Sequence, residues 1–242
     1  MIGRVWQAVV EQLGLVPVSV RLLAGRFYWA APLIVLLWPA SCLLSLALRW
    51  RERAFEPQNV QGFLIGLPLV LLASGLGLRV IAGEIDRRTL EIAYTVPGGA
   101  TRVWIAKLIA ALALILPAEA LLALTALILV PDYPPTALYG ALQAAVFYLV
   151  LAMGLSTLFK SEATGGMVVS LVLLVNGLLT GFGDLQVRVS PFWNPEALDP
   201  ATPETDALAW TIQNRIGFAL AIAAIVALTF ARAERRERML SG

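Results

Sequence analysis

The chain has 242 residues, 59% of them hydrophobic and only 14% charged, with a mean hydropathy of +0.80. Soluble domains carry about 25% charged residues, so this composition belongs to an integral membrane protein. A net charge of +2 excludes a strongly basic nucleic-acid-binding face, and the absence of His removes imidazole metal sites and a His general base.

The first residues lack a cleavable signal pattern, because Arg4, Gln7, Glu11 and Gln12 interrupt any apolar core. Instead Ile2, Val5, Trp6, Val9, Val10 and Leu13 recur at helical spacing, which predicts a helix lying in the membrane surface within residues 1–26. A span needs about 20 mostly apolar residues, and six segments satisfy this: Phe27 to Leu48, Val60 to Ala82, Val103 to Val130, Ala137 to Phe159, Ala163 to Phe182 and Leu208 to Phe230. The expectation is one all-α domain over 1–242, with a six-helix bundle over 27–230 and a basic tail over 231–242. Cys42, the single cysteine, falls inside the first apolar run and has no intrachain partner.

Basic residues set the orientation. With the N-terminus inside, Arg4, Arg21, Arg26, Arg79, Arg87, Arg88, Arg102, Lys107, Lys160, Arg232, Arg235, Arg236 and Arg238 are cytoplasmic, and Arg49, Arg51, Arg53 and Arg188 remain outside. Both termini are then expected in the cytoplasm of a cell (inner) membrane protein. The turns Pro131 to Thr136 and Lys160 to Glu162 are minimal, which makes the third and fourth, and the fourth and fifth, spans antiparallel neighbours. Gly183 to Ala207 is the longest outer connection, and its Ser190-Pro191-Phe192-Trp193 stretch suits headgroup depth.

Between spans two and three lies a charged segment, Gly83 to Pro97. At 3.6 residues per turn Glu84, Arg87, Arg88, Glu91 and Thr95 share one face, and Ile85, Leu90, Ile92, Ala93, Tyr94 and Val96 cover the rest. Glu84 with Arg88 and Arg87 with Glu91 are i, i+4 opposite-charge pairs. The segment reads either as a solvated connector or as a docking helix.

Deep polar residues are few. Glu119 lies in the third span, where a charge costs at least about 2.5 to 3.5 kcal/mol and so needs a cavity, a partner or a proton. Arg215 is the nearest opposite charge in depth, leaving an ion pair or a pathway-lining role open. Gln143 and Asn176 suit interhelical hydrogen bonds or the same pathway. The pairs Gly62 with Gly66 and Gly177 with Gly181 allow close helix packing, inside the bundle or at a dimer seam. No nucleophile–base set, metal-ligand cluster or Walker A loop is present, so no catalytic residue, metal or bound cofactor is expected.

The run Glu84 through Lys107, with Thr89-Leu90-Glu91 at its core, Pro97 after it and basic Arg102 and Lys107 entering the third span, resembles the membrane-subunit family of type-two ABC exporters. The wider plan of amphipathic N-terminus, six spans, long outer loop and basic tail is also similar. The resemblance implies a permease subunit paired with a second permease, as homodimer or heterodimer, and with ABC ATPase subunits that hold ATP and Mg. It implies that Glu84, Arg87, Arg88, Thr89, Leu90 and Glu91 form the coupling helix. The family commonly has Gly just before the Thr, and Arg88 in its place favours a continuous helix. A non-transporting membrane anchor using the same helix is the alternative from another class, and an intramembrane enzyme a third.

Overall fold

A computed structural model describes residues 14–49, 55–95, 99–183 and 187–235. The surface helix expected over Ile2 to Leu13 and the end of the basic tail lie outside these residues. Within them the chain is helical, with six helices long and apolar enough to cross a membrane: Tyr28–Ala47, Val60–Leu78, Ala100–Leu129, Thr136–Phe159, Glu162–Gly183 and Glu204–Ala233. This is the fold class read from the sequence, and every span starts and ends within a few residues of its expected place.

A short helix, α1 (Val16–Ala24), precedes the first span. That span is fragmented: a 3₁₀ turn at Tyr28–Ala30 leads into α2 (Ala31–Ile34) and α3 (Leu37–Ala47), with Pro32 and Pro39 in the run. Proline removes backbone donors, which accounts for the breaks. The second span, α4 (Val60–Leu78), opens with a π-helical stretch, Val60–Gly66, before becoming α-helical. After the connector come α7 (Ala100–Leu129), which runs straight through Pro117, α8 (Thr136–Phe159), α9 (Glu162–Thr180) and α10 (Glu204–Ala233). The connector between α4 and α7 holds two short helices, α5 (Ala82–Asp86) and α6 (Leu90–Thr95).

The fourth span is the hub. α8 packs most extensively on α4 and then on α9 and α10, whereas α7 touches α8 lightly and instead carries α1 and the start of the first span. Small residues set the α4–α8 approach: a Cβ on Gly77 would lie 2.2 Å from the Leu149 carbonyl oxygen and 3.0 Å from the Ala152 methyl. With no hydrophobic drive between helices in lipid, such close packing carries association. The core follows this seam, through Leu69, Val70, Ala73, Ala144, Ala145, Tyr148 and Leu149. The first, fifth and sixth spans are the least covered by the rest of the chain. One end of the bundle gathers α5, α6 and the α8–α9 turn; the other gathers the 55–61 segment, the 131–135 turn and the loop 187–203, here called the strap.

Candidate functional site

The charged connector begins where α4 ends. Arg79 donates from Nη1 to the Leu23 carbonyl at 2.9 Å and approaches Glu162 with Nε at 3.7 Å, tying α1, α4 and α9 together. The chain then turns through Val80 and Ile81, both buried, into α5. α5 stops in a Schellman closure: the Arg88 N–H bonds to the Ile85 carbonyl at 3.0 Å and the Thr89 N–H to the Glu84 carbonyl at 2.8 Å. Arg88 takes the left-handed position of that motif, with φ at 57°. The continuous helix expected over Glu84 to Thr95 is therefore two helices with a corner between them. Arg88 stands where glycine fits best, and its side chain did not prevent the turn because the two backbone bonds and the Thr89 hydroxyl, 3.4 Å from the Glu84 carbonyl, hold it.

The corner also redistributes the charges. Glu84 faces inward, where its Oε1 meets Lys107 Nζ at 2.6 Å and its Oε2 accepts from Trp104 Nε1 at 3.3 Å. Lys107, 3% exposed, also donates to the Val80 carbonyl at 2.9 Å. Buried ion pairs are tolerated when hydrogen bonds complete both partners, and here a carbonyl and an indole do so. The expected Glu84–Arg88 and Arg87–Glu91 pairs do not form among the described residues, because the break at Arg88 destroys the i, i+4 geometry. Asp86 accepts the Glu162 backbone N–H at 2.9 Å, locking the connector to the start of α9. On the far side Tyr94 donates its hydroxyl to the Ala233 carbonyl, Thr101 donates to Glu234 at 2.7 Å, and Trp104 packs on Phe230.

What remains exposed is Asp86, Arg87, Arg88, Glu91, Ile92 and Thr95, whereas Leu90 and Ala93 are buried. Ile92, read from the sequence as part of the apolar face, stands 65% exposed among these charges. A cleft of about 310 Å³ lies beside it, lined by Leu22, Arg79, Glu84, Arg87, Thr89 and Ile92 among others. The arrangement is a rigidly mounted surface of mixed charge with one apolar side chain at its centre.

The intramembrane residues sort differently from the sequence expectation. Glu119 is buried on α7, and no ion pair joins it to Arg215 among the described residues. The reason is topological: α7 and α10 do not pack along their length. Glu119 instead neighbours Tyr133 in the turn after α7, whose phenol is pushed above its usual range by burial and by the Glu119 charge. Arg215 lies over the Tyr139 ring at 5.1 Å, with its Nη1 enclosed and unpaired. Gln143 donates to Asn214 Oδ1 at 3.1 Å, an interhelical bond between α8 and α10. Asn176 accepts from Ser190 Oγ at 3.3 Å, which ties α9 to the strap, and its side chain also meets the Tyr148 hydroxyl of α8.

The strap itself turns inward. Phe192 and Trp193 are 0% and 2% exposed, packed against the helices of the bundle. Polar side chains that the sequence reading passed over hold them there. Gln61 donates to the Trp193 carbonyl at 2.7 Å, Asn214 to the Arg188 and Ser190 carbonyls at 2.8 and 2.9 Å, and Trp193 donates to Thr211 at 3.0 Å. The glycine pairs serve the same packing: a Cβ on Gly62 would lie 1.5 Å from the Phe182 carbonyl oxygen, one on Gly66 3.2 Å from the Phe192 ring, and one on Gly177 2.4 Å from the Phe182 ring, while Gly181 ends α9 with φ at 56°. Among the described residues no cluster of His, Cys, Asp and Glu is placed to hold a metal ion.

No family model matches the chain, and neither a curated protein nor a solved structure is significantly similar to it. Fold and geometry define a multi-pass helical membrane protein with a braced, charged connector at one end and a tucked strap at the other.

Proposed function

We propose that the chain is the permease subunit of an ATP-driven exporter, with the connector docking on a separate ABC ATPase that binds ATP and Mg. The observation that carries this reading is the mounting of the connector. Arg87, Arg88, Glu91 and Ile92 project from a base fixed to α1, α4, α7, α9 and α10 through Arg79, Glu84, Asp86, Tyr94 and Lys107. A solvated linker has no need of such bracing. A coupling element does, because a push on its exposed face reaches several spans at once and moves them as rigid bodies. An exposed apolar residue ringed by charges is the pattern of an interface anchor with a polar rim. In this reading a second permease, identical or related, covers part of the surface that the first, fifth and sixth spans leave open, and the connector end is cytoplasmic in an inner-membrane assembly.

The test is affinity purification of the tagged chain from gently solubilised native membranes, with mass spectrometry and an ATPase assay on the eluate. A Walker-A protein with vanadate-sensitive hydrolysis is expected, lost in Arg87→Glu, Glu91→Arg and Ile92→Asp variants that still insert. Repeated recovery of partners lacking any ATPase would refute the reading in favour of a membrane anchor.

A further inference from the structure

The fifth and sixth spans both lean on the fourth but scarcely on each other. Between them, beneath the strap, lies an open cleft of about 600 Å³. Its floor is Phe147 and Tyr148 of α8, and its walls include Val172 of α9 and Trp210, Gly217 and Phe218 of α10. The lining is nearly all apolar until the strap end. There the Arg188 guanidinium lies on the Trp210 ring, 3.3 Å from its centroid, with Gln213 nearby on the cleft wall.

From this geometry we propose that the cleft binds one acyl chain of an anionic phospholipid drawn from the strap-side leaflet, with its phosphate on Arg188. Three observations converge. Lining residues on α10 run from Trp210 to Ala221, about 16 Å at 1.5 Å per residue, which matches half of a hydrocarbon core about 30 Å thick. The cation sits at one end of this length and beside a Trp, the side chain that favours headgroup depth. Stacking on the indole occupies the face of the guanidinium and leaves its in-plane N–H donors outward, the geometry that grips phosphate in a fork. No carboxylate lies within 4 Å of Arg188 among the described residues, so the charge is not already answered. The strap backbone at Arg188 is fixed by Asn214, which presets the headgroup contact. This binding does not depend on the permease reading.

The test is native mass spectrometry of the purified full chain titrated with dioleoyl-phosphatidylglycerol, dioleoyl-phosphatidylcholine or oleate. Wild type is expected to take one phosphatidylglycerol in preference to the other two. Arg188→Gln is expected to weaken that lipid roughly tenfold or more while leaving phosphatidylcholine unchanged, since a charge-assisted contact is lost. A Cβ at Gly217 meets nothing within 4 Å, so Gly217→Leu fills the cleft in a folded protein and is expected to weaken both phospholipids. Equal affinity for the two phospholipids, preference for oleate, or an unchanged first phosphatidylglycerol in either variant would overturn the proposal.

Discussion

The Glu84–Lys107 contact gives the sharpest mutational test. Lys107→Met removes the only basic partner within 4 Å of Glu84 among the described residues and leaves its largely buried carboxylate beside Trp104. Breaking a buried pair from one side costs about 3 to 5 kcal/mol, because the stranded charge keeps its desolvation penalty. The Lys107 ammonium is nearly buried, and the Glu84 carboxylate is 13% exposed, so the lower half of that range applies, about 3 kcal/mol. For a chain of this size each kcal/mol moves the melting midpoint by about 2 to 4 °C, giving a fall of about 6 to 12 °C. Glu84→Gln keeps a neutral acceptor for Lys107 and is expected to cost about half as much. Joining Lys107→Met with Glu84→Leu removes both charges, and replacing such a pair by apolar groups is often close to neutral. The double variant is therefore expected to recover most of the lost stability, with a coupling energy of about 3 kcal/mol. The assay is thermal unfolding of purified protein in one detergent, followed by near-ultraviolet circular dichroism, since Trp104 and Tyr94 pack at the site. A midpoint for Lys107→Met within about 2 °C of wild type, or losses in Lys107→Met and Glu84→Leu alone that simply add in the double variant, would refute the reasoning.

Other predictions follow from single positions. Arg88→Gly is expected to raise stability by about 1 kcal/mol in the same melting assay, because glycine takes a positive φ without cost, whereas Arg88→Val should lower it. Gly62→Ala would set a methyl into the Phe182 carbonyl and is expected to cost about 3 kcal/mol despite better helix propensity. Glu119→Gln is expected to change stability by less than about 1 kcal/mol in the same assay, since no ion pair is broken; a loss of about 3 to 5 kcal/mol would argue for the Glu119–Arg215 pairing. Gln61→Leu strands the Phe192 and Trp193 carbonyls and is expected to cost about 1 to 3 kcal/mol, read alongside faster proteolysis of the strap.

Hydropathy alone was enough for the spans, because burial in lipid demands an uninterrupted apolar run whatever the neighbours do. Periodicity was a weaker guide in the connector. It placed Glu84 and Arg88 on one face, but a left-handed corner depends on backbone bonds from Thr89 and Arg88 that side-chain spacing does not encode. Lys107 was legible as a basic residue at the start of the third span, not as the partner of Glu84, because that pairing arises only when α5 folds back on α7. The burial of the strap was missed for a related reason. Phe192 and Trp193 suit an interface by composition, and the signal for burial lay elsewhere, in Gln61 and Asn214, amides within apolar runs that needed partners. The exposure of Ile92 and the cleft beneath Arg188 depend on which helices fail to touch, which no local pattern reports.

The tucked strap also orders the birth of the protein. Gln61 enters the bilayer with the second span, yet the carbonyls it bonds belong to residues made some 130 positions later, and Trp193 reaches its acceptor Thr211 only when the sixth span arrives. Nascent chains halted before Phe192 therefore carry Gln61 without its acceptors, and chains halted between Trp193 and Thr211 carry an indole without its own, states that membrane proteases and insertion chaperones can recognise. Completion of the last helix ends both. Ribosome-arrested chains of increasing length, probed by protease cleavage within the strap, should gain protection in one step as Thr211 emerges into the membrane; gradual protection before that point would separate strap closure from the final span.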